Sequence, residues 1–187
     1  MSSSIRAGRG LLAQAPELMR EVGLKGRAFV VTDRNVYAHY GQALAEALAT
    51  GGFNPTVNMV DAGEQTKSFR CLELLYDWLA EAKAERSDIV VALGGGVVGD
   101  LAGFAAATYL RGMPLVQVPT TLLGMVDSAI GGKTAVNHPR AKNLIGAFYP
   151  ANLVIIDTAI LGSLPAREYR SGLGEVVKYG VIMDAPL

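Results

Sequence analysis

Short β-branched runs alternate along the chain with longer segments of helical spacing. Residues 28–32 (Ala-Phe-Val-Val-Thr) read as a strand, and residues 36–48 carry apolar side chains at helical intervals. Residues 56–60 form a weaker strand. Residues 68–84 predict a helix with a buried stripe of Leu72, Leu75, Tyr76 and Leu79. Residues 88–93 are apolar on both faces, as a central parallel strand requires. The small-residue run 97–110 predicts a helix that packs closely on its neighbours. Residues 114–118 and 153–156 supply two more strands. This β–α alternation predicts an α/β fold built on a doubly wound, Rossmann-like parallel sheet. Between the fourth and fifth strands, residues 122–130 read as a short helix and the stretch 125–143 as a small-residue loop.

The end of the chain breaks the pattern. Residues 168–183 predict a helix with no strand after it. Its Val176, Val177, Tyr179, Val181 and Ile182 need a surface to pack against. The division expected is one domain over 1–163 and the first helix of a truncated multihelical domain over 164–187.

Composition narrows the functional classes. Half of the 187 residues are hydrophobic, which excludes a disordered chain. Lys plus Arg and Asp plus Glu both number 17, so the formal charge is zero. That balance argues against a nucleic-acid or anionic-membrane binder. The only cysteine, Cys71, forms no disulfide within the chain and suits core filling. His39 and His138 are the only histidines, too few for an all-histidine metal site. His39 reads as a surface residue. The N-terminus shows no apolar run and no stretch is long enough to span a membrane, so a cytoplasmic, reduced protein is expected. Glycine is the outlier, with 22 residues against a usual ~7%. It clusters at 94–99, 131–132 and 172–180, a distribution that suits ligand sites better than linkers.

Open parallel sheets bind ligands beyond the carboxyl ends of their strands. The first strand ends in Thr32-Asp33-Arg34-Asn35, and the second runs into Gly63-Glu64-Gln65-Thr66-Lys67. The third ends in Gly94-Gly95-Gly96-Val97-Val98-Gly99-Asp100, which fits G-x-G-x-x-G between a strand and a helix. The fourth ends in Pro119-Thr120-Thr121 and the fifth in Asp157-Thr158. Each site has a plainer reading too. The glycine turn can be steric, Asp33, Asn35, Thr120 and Thr121 can be helix caps, and Glu64 with Lys67 can be a surface ion pair. The acid usual some 20 residues after such a glycine motif is missing. Asp33 or Glu64 could take the ribose instead. The stretch 125–143 holds Asp127, Ser128, Lys133, Asn137, Lys142 and Asn143 among small residues. It reads as a cradle for a phosphorylated or polyhydroxylated ligand or as a solvated loop. Glu175, Lys178 and Tyr179 share one helix face, as an ordinary ion pair or with Glu175 as a metal ligand.

Taken together, the glycine turn to Asp100, Arg111, Pro119-Thr120-Thr121, Asp127-Ser128, Gly131-Gly132-Lys133, Lys142-Asn143 and the run from Gly172 to Gly180 closely resemble 3-dehydroquinate synthase. The likeness covers about residues 28–183. It implies conversion of 3-deoxy-D-arabino-heptulosonate 7-phosphate to 3-dehydroquinate and phosphate in the shikimate pathway. It implies NAD, a divalent metal (Zn2+ or Co2+), a Rossmann-like domain followed by a multihelical one, and a homodimer. By position, Asp33, Asn35, Glu64, Lys67, Thr120 and Thr121 match NAD contacts. Gly95, Gly96 and Asp100 match the pyrophosphate turn and its anchor. Asp127, Lys133, Lys142 and Asn143 match residues around nicotinamide and substrate. Arg111 resembles an arginine that reaches a neighbouring subunit's substrate phosphate. Glu175 matches the carboxylate among the metal ligands, and Lys178 a substrate lysine.

The family's two metal histidines have no counterpart here, and Ser163 stands where many relatives carry threonine. Only Ile5-Arg6-Ala7 stands where the family has an N-terminal β-hairpin. The expectation is an N-terminal fragment that binds NAD weakly and does not turn over substrate. Another sugar-phosphate cyclase, or a polyol dehydrogenase of the glycerol dehydrogenase type, remains the alternative. A non-enzymatic nucleotide-binding module is a third class.

Overall fold

The computed structural model describes residues 3–183. Six parallel strands form one sheet: β1 (Ser4–Gly8), β2 (Ala28–Asp33), β3 (Thr56–Val60), β4 (Ile89–Gly94), β5 (Leu115–Pro119) and β8 (Leu153–Asp157). Their spatial order is β1-β8-β5-β4-β2-β3. The two remaining strands, β6 (Lys133–His138) and β7 (Ala141–Phe148), make a separate antiparallel hairpin. The doubly wound sheet is thus as the alternation predicts, with a sixth parallel strand added.

Strand β1 was not among the predicted strands. It lies at an edge, parallel to β8, with Ile5 and Arg6 exposed. An exposed edge strand of five residues needs no apolar alternation, so the pattern carries no signal for it. The Asp157 carboxylate fixes the chain after it. It accepts hydrogen bonds from the amides of Gly10 (2.8 Å), Leu12 (2.9 Å) and Ala159 (3.0 Å).

Two apolar layers sandwich the sheet. On one side α1 (Ala15–Glu21) and α3 (Gln42–Thr50) bury Met19, Leu44 and Leu48 against Val30, Val91 and Leu93. A short helix α2 (Arg34–Val36) leads into α3 through a π turn at Tyr37–Gly41. On the other side, α4 (Phe69–Glu81) buries Leu72, Leu75 and Leu79, the predicted stripe, and Trp78 packs edge-on against Phe29. Beside it α5 (Gly96–Thr108) is buried nearly all round, because the sheet covers one face and the hairpin another.

The stretch 125–143, expected as a loop, is therefore corrected. It comprises a π turn at Gly124–Ser128, all of β6 and the start of β7. Thr134 and Val136 of β6 are buried, Ile145 and Ala147 of β7 alternate with exposed neighbours, and Val136, Ile145 and Ala147 join the core cluster that includes α5. At Gly103 a Cβ would lie 2.5 Å from Thr134 Cγ2, so the small-residue face of α5 lets the hairpin seat closely. The final helix, α6 (Ala166–Ile182), crosses the segment at Leu122 with Gly172 at the contact. A Cβ there would come within 2.6 Å of Leu122 Cβ. Farther along, Val177, Val181 and Ile182 are exposed, as the unpartnered helix pattern predicts. The final four residues of the expected 164–187 unit lie outside the described residues. Among the described residues no helix is long and apolar enough to cross a membrane.

Candidate functional site

The chain leaves β2 for β3 on one side and then crosses to β4 on the other. This reversal opens a crevice at the carboxyl ends of β2 and β4. A cleft of about 780 Å³ lies there, walled by Asp33, Asn35, Gly95, Gly96, Thr120 and Thr121 among others. Helix α5 starts in it with Gly95 as N-cap and no side chain capping it. The first amides of a helix lack intrahelical partners and carry partial positive charge, so this end suits an anion.

The glycines of the turn divide their work. A Cβ on Gly94 would lie 2.6 Å from Val98 Cβ, and one on Gly99 2.9 Å from Gln117 Oε1. These two serve packing, as the steric reading has it. A Cβ on Gly96 would make only an ordinary 3.4 Å contact with Ser128 Oγ. The bareness of Gly96 is not needed by its protein neighbours, and it leaves backbone open to the cleft.

Asp33 does cap a helix: its Oδ1 accepts from the amides of Asn35 (2.9 Å) and Val36 (3.0 Å). Its Oδ2 makes no hydrogen bond among the described residues, so the cap leaves an oxygen for a ligand. Thr121 Oγ1 accepts from Gly124 N (3.0 Å) while Thr120 is buried behind it. On the far wall, the Tyr40 hydroxyl donates to Ser163 Oγ (2.6 Å). His39 is exposed, as expected, and also lines this cleft.

A second cleft, about 470 Å³, lies under the hairpin and is lined by Asp100, Asp127, Ser128, Lys133 and Asn143 with Leu144 and Phe148. Ser128 and Gly96 form the divide between the two clefts. The surface ion pair that the spacing of Glu64 and Lys67 also allows does not form. Lys67 is buried and its ammonium instead contacts the Asp100 carboxylate and Asn143 Oδ1. Burial pushes the Asp100 carboxyl above the usual aspartate range, and the Lys67 hydrogen bond and charge only partly oppose it. Glu64 Oε1 accepts from Asn137 Nδ2 (2.8 Å) and lies 4.0 Å from Lys142 Nζ. Asn137, read from the sequence as one of the polar residues of a ligand cradle, thus joins a polar network with Glu64. Its partners come from a turn far away in the chain, a pairing only the fold reveals.

The remaining candidates stand apart. Lys142 is exposed and lines neither cleft. Arg111 also lines neither, and sits exposed at a turn where Leu110 and Arg111 both have positive φ (50° and 65°). Glu175 and Lys178 pair with each other on α6, the ordinary reading of their spacing. The Glu175 hydrogen bond raises the pKa of exposed Lys178, and the charges of Glu175 and Asp127 add to it. Among the described residues no three His, Cys, Asp or Glu side chains cluster as a metal site. Glu175 alone does not fit a bound metal.

An open parallel sheet whose switch point holds an uncapped helix N-terminus defines a Rossmann-like nucleotide-binding protein. Residues 57–171 match the family described as 3-dehydroquinate synthase N-terminal, and the chain belongs to that family. It is 52% identical over 186 residues to a 3-dehydroquinate synthase of Geobacter metallireducens, covering 100% of this chain and 52% of that protein. The corresponding Picosynechococcus enzyme is 48% identical over 186 residues, covering 100% of this chain and 51% of its own length. The chain spans about half the length of the curated relatives it matches. A 2-epi-5-epi-valiolone synthase from Streptomyces hygroscopicus, solved with NAD+ and Zn2+, superposes with a TM-score of 0.90 at 36% identity, over 100% of this chain and 51% of that one. A 2-deoxy-scyllo-inosose synthase complexed with carbaglucose-6-phosphate, NAD+ and Co2+ gives 0.85 at 31% identity, over 93% and 48%. A glycerol dehydrogenase from Schizosaccharomyces pombe, at 22% identity, shares the fold alone (TM-score 0.74, over 96% of this chain and 43% of that one).

Proposed function

We propose that this chain is the NAD+-binding half of a 3-dehydroquinate synthase, which converts 3-deoxy-D-arabino-heptulosonate 7-phosphate to 3-dehydroquinate and phosphate. The observation that carries the reading is the adjacency of the two clefts across Gly96 and Ser128. One has the shape and helix N-terminus for a dinucleotide pyrophosphate, and the other collects a lysine, two aspartates and an asparagine. The Asp33 carboxylate would hold the adenosine ribose, the Gly95-Gly96 backbone the pyrophosphate, and Thr120 and Thr121 the far side of the cofactor. When bound, NAD+ would supply a transient oxidation of a ring hydroxyl that is reversed within the same turnover.

The chain's own residues would then orient the substrate. The Lys133 ammonium would hold negative charge on substrate oxygens, and Asn143 would hydrogen-bond hydroxyls. Asp127 would orient the ring beside the nicotinamide. Lys142 and Lys178, which line neither cleft, would contact the substrate from beside the second one. Arg111 would serve the phosphate of a neighbouring subunit in a cytoplasmic homodimer. Glu175 has no companion ligands among the described residues, so these residues by themselves would not hold a metal. The second reading, a valiolone- or inosose-type cyclase, draws on the structural likeness above.

Calorimetric titration tests the cofactor assignment. Saturable binding of NAD+ with weaker or no binding of ATP is the expected result. Preference for ATP would overturn it. Adding the heptulosonate phosphate should release no phosphate from this chain alone, and release at a full enzyme's rate would refute the half-site reading.

A further inference from the structure

Asn137 sits at the end of β6, between the turn after β3 and the start of β7. Three hydrogen bonds converge on it. Its Nδ2 donates to Glu64 Oε1 (2.8 Å), its Oδ1 accepts from the Asn143 amide (2.9 Å), and its own amide donates to the Lys67 carbonyl (2.8 Å). The side-chain amide can face only one way. Turned over, it would set NH2 against an N–H and C=O against a carboxylate.

What these bonds hold is costly to hold otherwise. Asn143 has a left-handed backbone (φ 55°), uncommon for a residue in a strand. Its side chain is thereby brought to the Lys67 ammonium, which also meets Asp100. The Asn143 amide would otherwise have only water as its partner. The Glu64 side chain, half exposed, has the choice of Asn137 or of Lys142 at 4.0 Å.

We infer that Asn137 is a positioning residue that locks the β6–β7 hairpin to the Glu64–Lys67 turn and so presets Asn143 and Glu64 for the ligand. The inference rests on the two-cleft reading above. Asn137 lines neither cleft and touches no reacting atom. Aspartate at this position would keep the acceptor for the Asn143 amide but turn a like charge on Glu64. Alanine would remove both bonds. Neither change touches the backbone bond to Lys67.

The test compares Asn137→Ala and Asn137→Asp in the 187-residue protein. NAD+ affinity is measured by calorimetry and amide exchange at Asn143 by NMR, with slow exchange of the β4 amides as the control for folding. For Asn137→Ala, exchange at Asn143 should rise about tenfold with β4 unchanged. Its NAD+ affinity should fall about fivefold at any pH. For Asn137→Asp the loss should be full near pH 8 and recover towards about pH 5, as one carboxyl of the Asp–Glu64 pair takes a proton and becomes a donor. The charges facing this position are Glu64, Lys142 and, through Asn143, Lys67. His138 adjoins it in the chain. Unchanged Asn143 exchange in Asn137→Ala overturns the inference whatever the nucleotide result. So does an Asn137→Asp affinity that tracks Asn137→Ala at every pH. Failure of the unsubstituted protein to bind NAD+ sinks the cofactor reading instead, and the exchange result then decides the positioning role alone.

Discussion

The Lys67 ammonium and the Asp100 carboxylate form a largely buried charge pair that ties the turn after β3 to the first turns of α5. Each has little other solvation, so neither tolerates loss of its partner. Replacing Lys67 by methionine keeps volume but strands the carboxylate. Breaking a buried pair from one side costs about 3 kcal/mol. The sign with pH follows from the Asp100 carboxyl, which burial already raises. A raised carboxyl lets the folded state hold its proton longer than the unfolded one. Its favourable contribution is complete below the unfolded value and is lost as pH rises through the folded one. Lys67→Met should therefore lose most stability at neutral pH and least near the ordinary aspartate value. Urea melts across that range check it; a deficit that does not vary with pH would count against the pair.

The glycine turn offers a separation of folding from binding. Gly94→Ala drives a Cβ to 2.6 Å from Val98 Cβ and should cost about 1–3 kcal/mol by overpacking. Gly96→Ala meets nothing closer than 3.4 Å and lies at the start of a helix. Its stability should hold or rise by roughly 0.5–1 kcal/mol. Its NAD+ affinity should fall about tenfold, because backbone approach to the pyrophosphate is blocked. Thermal melts and calorimetry on both variants decide; a Gly96→Ala protein with full affinity removes the pyrophosphate from this turn.

These contrasts mark how far the sequence was legible. The β2 and β4 runs are buried on both faces, so both read as strands from their apolar β-branched residues, and β4 as a central one. The strand ends fall together by topology, so the sequence itself marks Asp33, Gly95, Gly96, Thr120 and Thr121 as neighbours of one crevice. The hairpin was not legible. Half of β6 and most of β7 face a cleft, and Gly146 interrupts the run where a Cβ would strike Thr134 O at 2.0 Å. Pairing partners were equally hidden. Glu64 and Lys67 stand at ion-pair spacing, yet α5 and the hairpin offer each a better partner, Asp100 for Lys67 and Asn137 for Glu64. Spacing along a turn cannot weigh partners that tertiary packing brings from elsewhere.

Asp33 bears on the choice between the two nicotinamide cofactors. Both of its caps use Oδ1, and a carboxylate oxygen remains towards the cleft. A ribose hydroxyl can donate to that oxygen, whereas a 2′-phosphate would meet a like charge. Asparagine caps helices as well as aspartate does, so Asp33→Asn should leave the fold intact. NAD+ selectivity over NADP+ should narrow on the order of tenfold. Parallel titrations with the two cofactors measure it, and an unchanged ratio would place the ribose elsewhere.

At the amino ends of the central strands, just before β4, Asp88 gives the protein an acid-sensitive anchor. Burial by itself would push its carboxyl up. Hydrogen bonds from the amides of Glu85 and Arg27, and the Arg27 guanidinium at 2.8 Å, more than reverse this and hold it below the usual range. A lowered carboxyl stays ionised in the folded state after the unfolded chain has begun to take up protons. Its stabilisation is therefore present above the unfolded value and lost as pH falls through the lowered folded one. Asp88→Asn retains the shape but loses the charge and gives one acceptor in place of two. It should cost about 1–3 kcal/mol at neutral pH. The two proteins should begin to converge as pH falls below about 4, where the unfolded wild-type chain takes up its proton, and should meet only below the lowered folded value. Denaturant unfolding of both proteins from neutral to acidic pH follows the convergence. Curves that stay parallel throughout would assign the loss to packing instead of to the charge.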